Sequence, residues 1–290
     1  MSTTTAPAEG ARRERPWYVM ALRNRRLVIG SLLLLGLLLV AVLAQLLATH
    51  SPLLVRPEIR LSPPSVEHRF GTDNFGRDLY SRTVYGARIS LVVGGTVALL
   101  AALAGTSFGL VGGYYQRVDL VLMRIMDGMM AFPGIVLAVG IMAAMGPHVA
   151  NVIVALAIVQ APRVVRVVRS VVISLRQMQY VEAARCMGVS DWRMLLRHIL
   201  PNCISPLVVQ CTFIFGEAVL GEASLSFLGV GAPPEIPSWG VILGEARLYI
   251  RTAPWMMFLP GTALTLTVLA LNLVGDGIRD WLDPRLRKTM

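Results

Sequence analysis

Lysine is all but missing from this 290-residue chain: Lys288 is the only one, and every other basic residue is an arginine or one of four histidines. A phosphate-cradling P-loop requires G-x-x-x-x-G-K-[ST], and no segment supplies it. The chain therefore cannot hydrolyse ATP by that route, and if it serves an ATP-driven machine, the motor is another polypeptide. Charge is scarce altogether. Asp, Glu, Lys and Arg make up 15% of residues, against 55% hydrophobic and a mean hydropathy of +0.63. That balance excludes an ordinary soluble domain and fits a polytopic membrane protein. The net charge of +10 then reads as positive charge collected on cytoplasmic loops and near anionic lipid, with no nucleic-acid partner implied. Cysteine is limited to Cys186, Cys203 and Cys211, an odd count without framework spacing, which argues for small buried side chains rather than disulfides. The four histidines, His50, His68, His148 and His198, are scattered and not at ligand spacing, so no metal site is expected.

Long apolar runs are what the chain has in abundance, and they predict an all-α protein with six transmembrane helices. Residues 1–26, with Arg12, Arg13, Arg15, Arg23, Arg25 and Arg26, read as a cytoplasmic tail, and Trp17 and Tyr18 as interfacial residues. The first span, 27–48, has 22 residues and at about 1.5 Å each reaches roughly 33 Å, enough to cross a bilayer core. It is too long for a signal-peptide core and has no clear cleavage site. Residues 49–88 form a polar, Pro-rich outer segment in which Gly71 and Gly76 mark turns beside Asp73 and Asp78. The acids are not at calcium-loop spacing. The stretch reads as a capped turn leading into an interfacial helix, with a solvated turn as the alternative.

The second span, 89–113, holds Gly94, Gly95, Gly105 and Gly109, which permit close helix packing in lipid. Residues 114–126 read as a short inner loop with Arg117 and Arg124. The third span, 127–145, is broken at Phe132-Pro133-Gly134, where freed backbone groups need a polar neighbour. That makes Phe132 and Pro133 pore candidates, with a simple packing kink equally open. The fourth span, 152–172, ends in Arg163, Arg166 and Arg169 at i, i+3, i+6, read as snorkelling to headgroups, with a partner contact second. The fifth, 205–230, carries Glu217 and Glu222, further pore candidates because acids at membrane depth face a cavity or a partner. A proton relay through them is the lesser alternative. The sixth span is 255–275, and 281–290 form a second tail.

The longest polar interruption is Tyr180–Pro201, YVEAARCMGVSDWRMLLRHILP, within an inner segment at 173–204. Tyr180, Ala183, Ala184 and Met187 fall at i, i+3, i+4 and i+7 of a helix, a small apolar face suited to docking. Glu182 and Arg185 are at pairing distance, and Gly188 is a left-handed stop. Ser190 is placed to cap a second helix with the stripe Trp192, Leu195, Leu196, Ile199, and Pro201 fits the first turn of the next span.

These two short helices resemble the coupling loop of ATP-binding-cassette importer permeases, whose pattern is E-A-A-x3-G followed about ten residues later by I-x-L-P. Here Glu182, Ala183, Ala184, Gly188, Leu200 and Pro201 match, while His198 stands at the Ile position and Ile199 comes one residue later. Four more stretches resemble the C-type dipeptide, oligopeptide and nickel permeases: GTDNFGRDLYSRTVYGARISL before the second span, EASLSFLG from Glu222, PPEIPSWG from Pro233, and DGIRDWLDPR from Asp276.

The resemblance implies a type I importer permease fold in a bacterial inner membrane and a non-catalytic pore subunit. It implies a B-type permease completing the heterodimer, two ATP-binding subunits or one fused ATPase carrying ATP and magnesium, and an extracytoplasmic substrate-binding protein. Cargo would be di- or oligopeptides, with nickel chelates or haem as alternatives. The inner segments would hold 19 of the 27 basic residues and the outer ones 8, which places both termini and 180–201 in the cytoplasm. A stand-alone secondary transporter is the rival class, but no internal repeat is visible; a structural or signalling membrane protein would not need the docking helix.

Overall fold

The computed structural model describes residues 24–282, so Trp17, Tyr18, the first arginines and the 283–290 tail lie outside it. Among the described residues the secondary structure is helical, with one isolated antiparallel bridge between Thr72 and Asp78. The helices are α1 (Arg25–Val42), α2 (Ala44–Leu47), α3 (Leu79–Tyr114), α4 (Gln116–Met130), α5 (Gly134–Met145), α6 (Val149–Leu175), α7 (Gln179–Cys186), α8 (Asp191–Arg193), α9 (Leu200–Phe227), α10 (Trp239–Ala246) and α11 (Trp255–Leu282). A π-helical stretch, Met194–Ile199, joins α8 to α9 without a break.

Five of these helices, counting α8 through α9 as one, are long and apolar enough to cross a membrane. The third expected span departs from the rest. The expected inner loop at 114–126 is helical instead: Tyr114 ends α3, Tyr115 is a one-residue link, and the rest lies in the amphipathic helix α4, which meets α5 at a bend of 92°. Pro133 has no amide hydrogen and restricts Phe132 before it, so the ladder stops at Ala131 and restarts at Gly134. With 12 residues, α5 is only about 18 Å long, and a sixth span exists only if the bent pair is counted as one.

The second span also differs. Helix α3 starts ten positions before residue 89 and runs 36 residues, absorbing the expected interfacial helix. Asp78 caps it by accepting a hydrogen bond from the Ser81 amide at 2.8 Å, and its first three turns are already buried under neighbouring loops. Similarly, the stretch between the fifth and sixth expected spans contains α10, capped by Ser238, and the last span continues to Leu282.

The most extensive packing is α3 on α6. Gly105, Gly109 and Gly113 of α3 face Val164, Val168 and Val172 of α6, each row at i, i+4, i+8. A Cβ added at Gly109 would lie 2.7 Å from the Val168 Cβ, so the small residues set how closely the two backbones approach. Gly109→Leu is expected to cost roughly 1–3 kcal/mol through overpacking, measured as a lower unfolding midpoint in detergent. The first span joins the bundle the same way: Gly30 lies against α11, and Gly277 of α11 against Leu27.

Candidate functional site

The Tyr180–Pro201 segment lies at one end of the bundle, on the apolar core shared by α3, α6 and α9. Its first helix, α7, ends in a Schellman arrangement. Gly188 adopts φ +76°, its amide donates to the Arg185 carbonyl at 3.0 Å, and the Val189 amide reaches back to the Ala184 carbonyl at 3.2 Å. A Cβ at Gly188 would meet nothing, so the glycine is there for its backbone.

Helix α7 has two faces, and the expected docking face is partly wrong. Val181 and Ala184 point into the core, Ala184 only 3% exposed. Tyr180, Glu182, Ala183, Cys186 and Met187 point outward, Met187 at 78%. The surface open to another molecule is therefore Tyr180, Ala183 and Met187, while Ala184 mounts the helix on its own bundle. The reason is helical phase: Val181 is the better core residue, and it brings Ala184 inward with it at i+3.

Arg185 does not turn to Glu182. Its guanidinium lies 5.8 Å above the Tyr114 ring. Asp191 accepts hydrogen bonds from Tyr114 at 2.7 Å and Tyr115 at 3.0 Å, and this bond holds the Tyr115 phenol above its usual range. Arg176 donates to the Tyr114 carbonyl at 2.9 Å. The α3–α4 corner is thus clamped by Arg176 at the end of α6 and by Arg185 and Asp191 from the middle of the segment, around a groove of about 600 Å³ lined by Arg117, Arg176 and Arg185.

Ser190 stands at the N-cap of α8 but makes no side-chain cap bond. The second stripe is rephased as well: Leu195 and Ile199 are buried with Met194, whereas Trp192 and Leu196 are exposed. Pro201 has no amide to offer the Arg197 carbonyl and its ring crowds that oxygen. The turn before it widens, with the Leu200 amide bonding the Leu195 carbonyl five positions back. Leu200 packs on the core and Pro201 is exposed. Asn202 reaches the Tyr180 hydroxyl at 3.5 Å, so the two halves of the sequence pattern meet in space.

A second feature runs along α6. Arg163, Arg166 and Arg169 each pair with an acid of a neighbouring helix. Arg163 pairs with Glu217 of α9, which also accepts from Gln160 at 2.9 Å. Arg166 bonds Asp127 at 2.6 Å and Arg169 bonds Asp119, both acids on α4. Arg163 and Glu217 are 47% and 44% exposed, on helices that otherwise present apolar surface. Phe132 and Pro133 are exposed too.

Glu222 is different: it is buried within the chain and lines no open surface. It accepts from Ser226 at 2.9 Å, Ser238 at 2.7 Å and Ser90 at 3.4 Å. It pins α9 to the start of α10 and to α3, where Trp239 donates to the Thr83 carbonyl at 2.9 Å. No hydrogen bond among the described residues links Glu222 to Glu217, so a relay through both is not built here.

Two groupings were missed from sequence. The turn at 71–78 is not solvated: Asp73 is buried with Arg77 and Arg82, which also grip Glu245 of α10. The signal was the unusual number of arginines in the first outer segment. The histidines are not all scattered either, because the His50 and His68 rings lie 4.6 Å apart beside Asp78. His148 caps α6 instead.

Comparison with known proteins identifies the family of the chain. Residues 87–288 match the family model described as binding-protein-dependent transport system inner membrane component. A protein of Brucella abortus provisionally named peptide transport system permease is 51% identical over 266 residues, covering 92% of this chain and 90% of that one. The dipeptide transport system permease protein DppC of Alkalihalophilus pseudofirmus is 44% identical over 276 residues, covering 94% and 91%. The glutathione transport system permease protein GsiD of Pectobacterium atrosepticum is 44% identical over 275 residues, with the same coverage.

Proposed function

This chain belongs to the family of binding-protein-dependent transport system inner membrane components, and from that premise we propose that it is the permease subunit of an ATP-driven peptide importer. It forms half of the translocation pathway, a B-type permease forms the other half, and a binding protein outside the membrane delivers the peptide. Two ATP-binding subunits, or one fused chain, dock on α7 from the cytoplasm. The observation that carries this reading is the mounting of α7. Val181 and Ala184 lock it to the bundle core while Tyr180, Ala183 and Met187 stand outward on the same helix. A surface held that way transmits displacement to the spans through packed contact rather than absorbing it.

The arginine–acid row supports a pathway on the α6–α9 side. Half-exposed charge at membrane depth is not tolerated against lipid and belongs against water or a partner subunit. Glu217→Gln would leave Arg163 without its counter-charge. It is expected to lower dipeptide uptake by about tenfold, equivalent to ~1.4 kcal/mol in the transport barrier, with the amount of membrane-inserted protein unchanged.

Orientation has a direct test in a native residue. Cys186 is exposed, whereas Cys203 is buried and Cys211 half-buried. In spheroplasts, an impermeant maleimide is expected to label Cys186 only after the membrane is opened. Labelling of intact spheroplasts would put α7 outside and end the coupling proposal. The function itself is tested by reconstituting the chain with its co-expressed subunits and measuring uptake of labelled dipeptide against nickel and haem. ATP-dependent dipeptide uptake is the expected result. Uptake by this chain alone, without an ATPase, would identify a secondary transporter instead.

A further inference from the structure

At the end of the bundle opposite α7, three elements bring nitrogen and oxygen donors to one point. His50 lies just past the first span, His68 lies in the Pro-rich segment, and Asp78 caps α3. We propose that His50, His68 and Asp78 bind one divalent transition-metal ion of zinc type, independently of the transport reading.

The donor set is the first reason. Two imidazoles and one carboxylate suit zinc and its first-row neighbours, whereas magnesium and calcium prefer all-oxygen shells. Geometry is the second. Asp78 Oδ1 lies 2.9 Å from His68 Nδ1 and 3.9 Å from His50 Nδ1, and one donor atom from each of the three residues falls within 4.8 Å of the others. An ion with bonds of about 2.0–2.1 Å holds tetrahedral ligands roughly 3.3 Å apart, between the two distances seen, so small side-chain shifts suffice.

Preorganisation is the third reason. The other Asp78 oxygen is committed to the Ser81 amide, which fixes the carboxylate and leaves Oδ1 facing the imidazoles. The His50 amide is tied to Ser81 Oγ at 3.0 Å. Among the described residues His68 Nε2 has no hydrogen-bond partner, and the ring meets Asp78 through Nδ1, the nitrogen that an ion would take. His68 and Asp78 are buried while the His50 side chain is 24% exposed, leaving an open side for a water or a fourth ligand. Such an ion would staple the end of the first span to the start of α3.

The test uses the full-length chain in detergent with its co-purifying subunits, wild type and variants side by side. Zn²⁺ is titrated with Mg²⁺ as the control, and both stoichiometry and thermal midpoint are read. The expected result for the wild type is one saturable Zn²⁺ site per chain, a midpoint raised by several degrees, and no response to Mg²⁺. His50→Ala removes a partly exposed ligand. Asp78→Asn keeps a good helix cap while removing the charged donor. Each is expected to weaken Zn²⁺ binding at least tenfold, and the metal-free midpoint of His50→Ala is expected to match that of the wild type. Absence of a saturable site, or equal binding by wild type and both variants, would overturn the assignment.

Discussion

Ala183→Trp is expected to abolish peptide uptake while leaving the protein in the membrane and the ATPase turning over. Ala183 is exposed on α7, one turn from both Tyr180 and Met187. An indole added there meets none of the chain's own core, and exposed substitutions of this kind usually change stability by about 0.5 kcal/mol or less. What it changes is the closest approach of a docking partner. If ATP-driven motion reaches the spans through this contact, a few ångströms of stand-off should disconnect the two. Uptake in reconstituted vesicles would fall at least tenfold, about 1.4 kcal/mol or more in coupling terms, with basal ATP hydrolysis retained.

Ala184→Trp supplies the contrast. That side chain is buried against the shared core, so the same indole overpacks it and should reduce the amount of folded protein. Normal uptake by Ala183→Trp would show that α7 is not the coupling surface, and equal abundance of the two variants would show that Ala184 is not packed as tightly as its burial implies.

The difference between those two alanines marks where sequence reading stops. Apolar spacing places a helix at 180–187 and a glycine stop at 188, because periodicity and φ > 0 are local properties. It does not say which stripe the rest of the chain covers. Tyr180, Ala183 and Ala184 make an acceptable stripe, and Val181 with Ala184 makes another; only the neighbouring α6 and α9 decide between them. The same applies to Arg163, Arg166 and Arg169. Their spacing puts them on one side of α6, but the acids that meet them are supplied by α4 and α9, as many as 54 positions away.

Five of the six spans were legible from hydropathy and the α3 glycines from their spacing, since both are written in consecutive residues. The start of α3 was hidden because Ser81, Arg82 and Thr83 look like surface residues yet lie buried. The 92° bend was hidden because Phe132-Pro133-Gly134 signals a break without fixing its angle. The clue that was seen but not followed was electrostatic. Six arginines in a segment expected outside ran against the charge bias, and local neutralisation of some of them was the physical way to accommodate that.

Glu245→Ala tests that neutralisation and is expected to be the most destabilising substitution of those considered. Asp73, Arg77, Arg82 and Glu245 form a neutral group of two acids and two guanidinium ions, with the Arg82 side chain 1% exposed. Arg77 bonds Asp73 at 2.6 Å and Glu245 at 2.8 Å, and Arg82 bonds Glu245 at 2.7 Å and also Asp73. Removing Glu245 leaves two buried cations sharing one carboxylate. Breaking a buried pair from one side costs about 3–5 kcal/mol, which for a chain of this size lowers the unfolding midpoint by on the order of 10 °C.

Glu67→Ala is the control. Its pairing with Arg56 spans 3.9 Å between exposed side chains and should be worth less than about 1 kcal/mol. Arg82→Met combined with Glu245→Leu should recover much of the loss, because replacing both partners leaves no uncompensated charge. An unchanged midpoint in Glu245→Ala would mean that water reaches the cluster. A double variant as weak as the single would mean that the charges themselves, and not their balance, hold the 71–78 turn against α10. Since that contact is what fixes the turn over the start of α3, its loss should loosen the whole end of the bundle opposite α7.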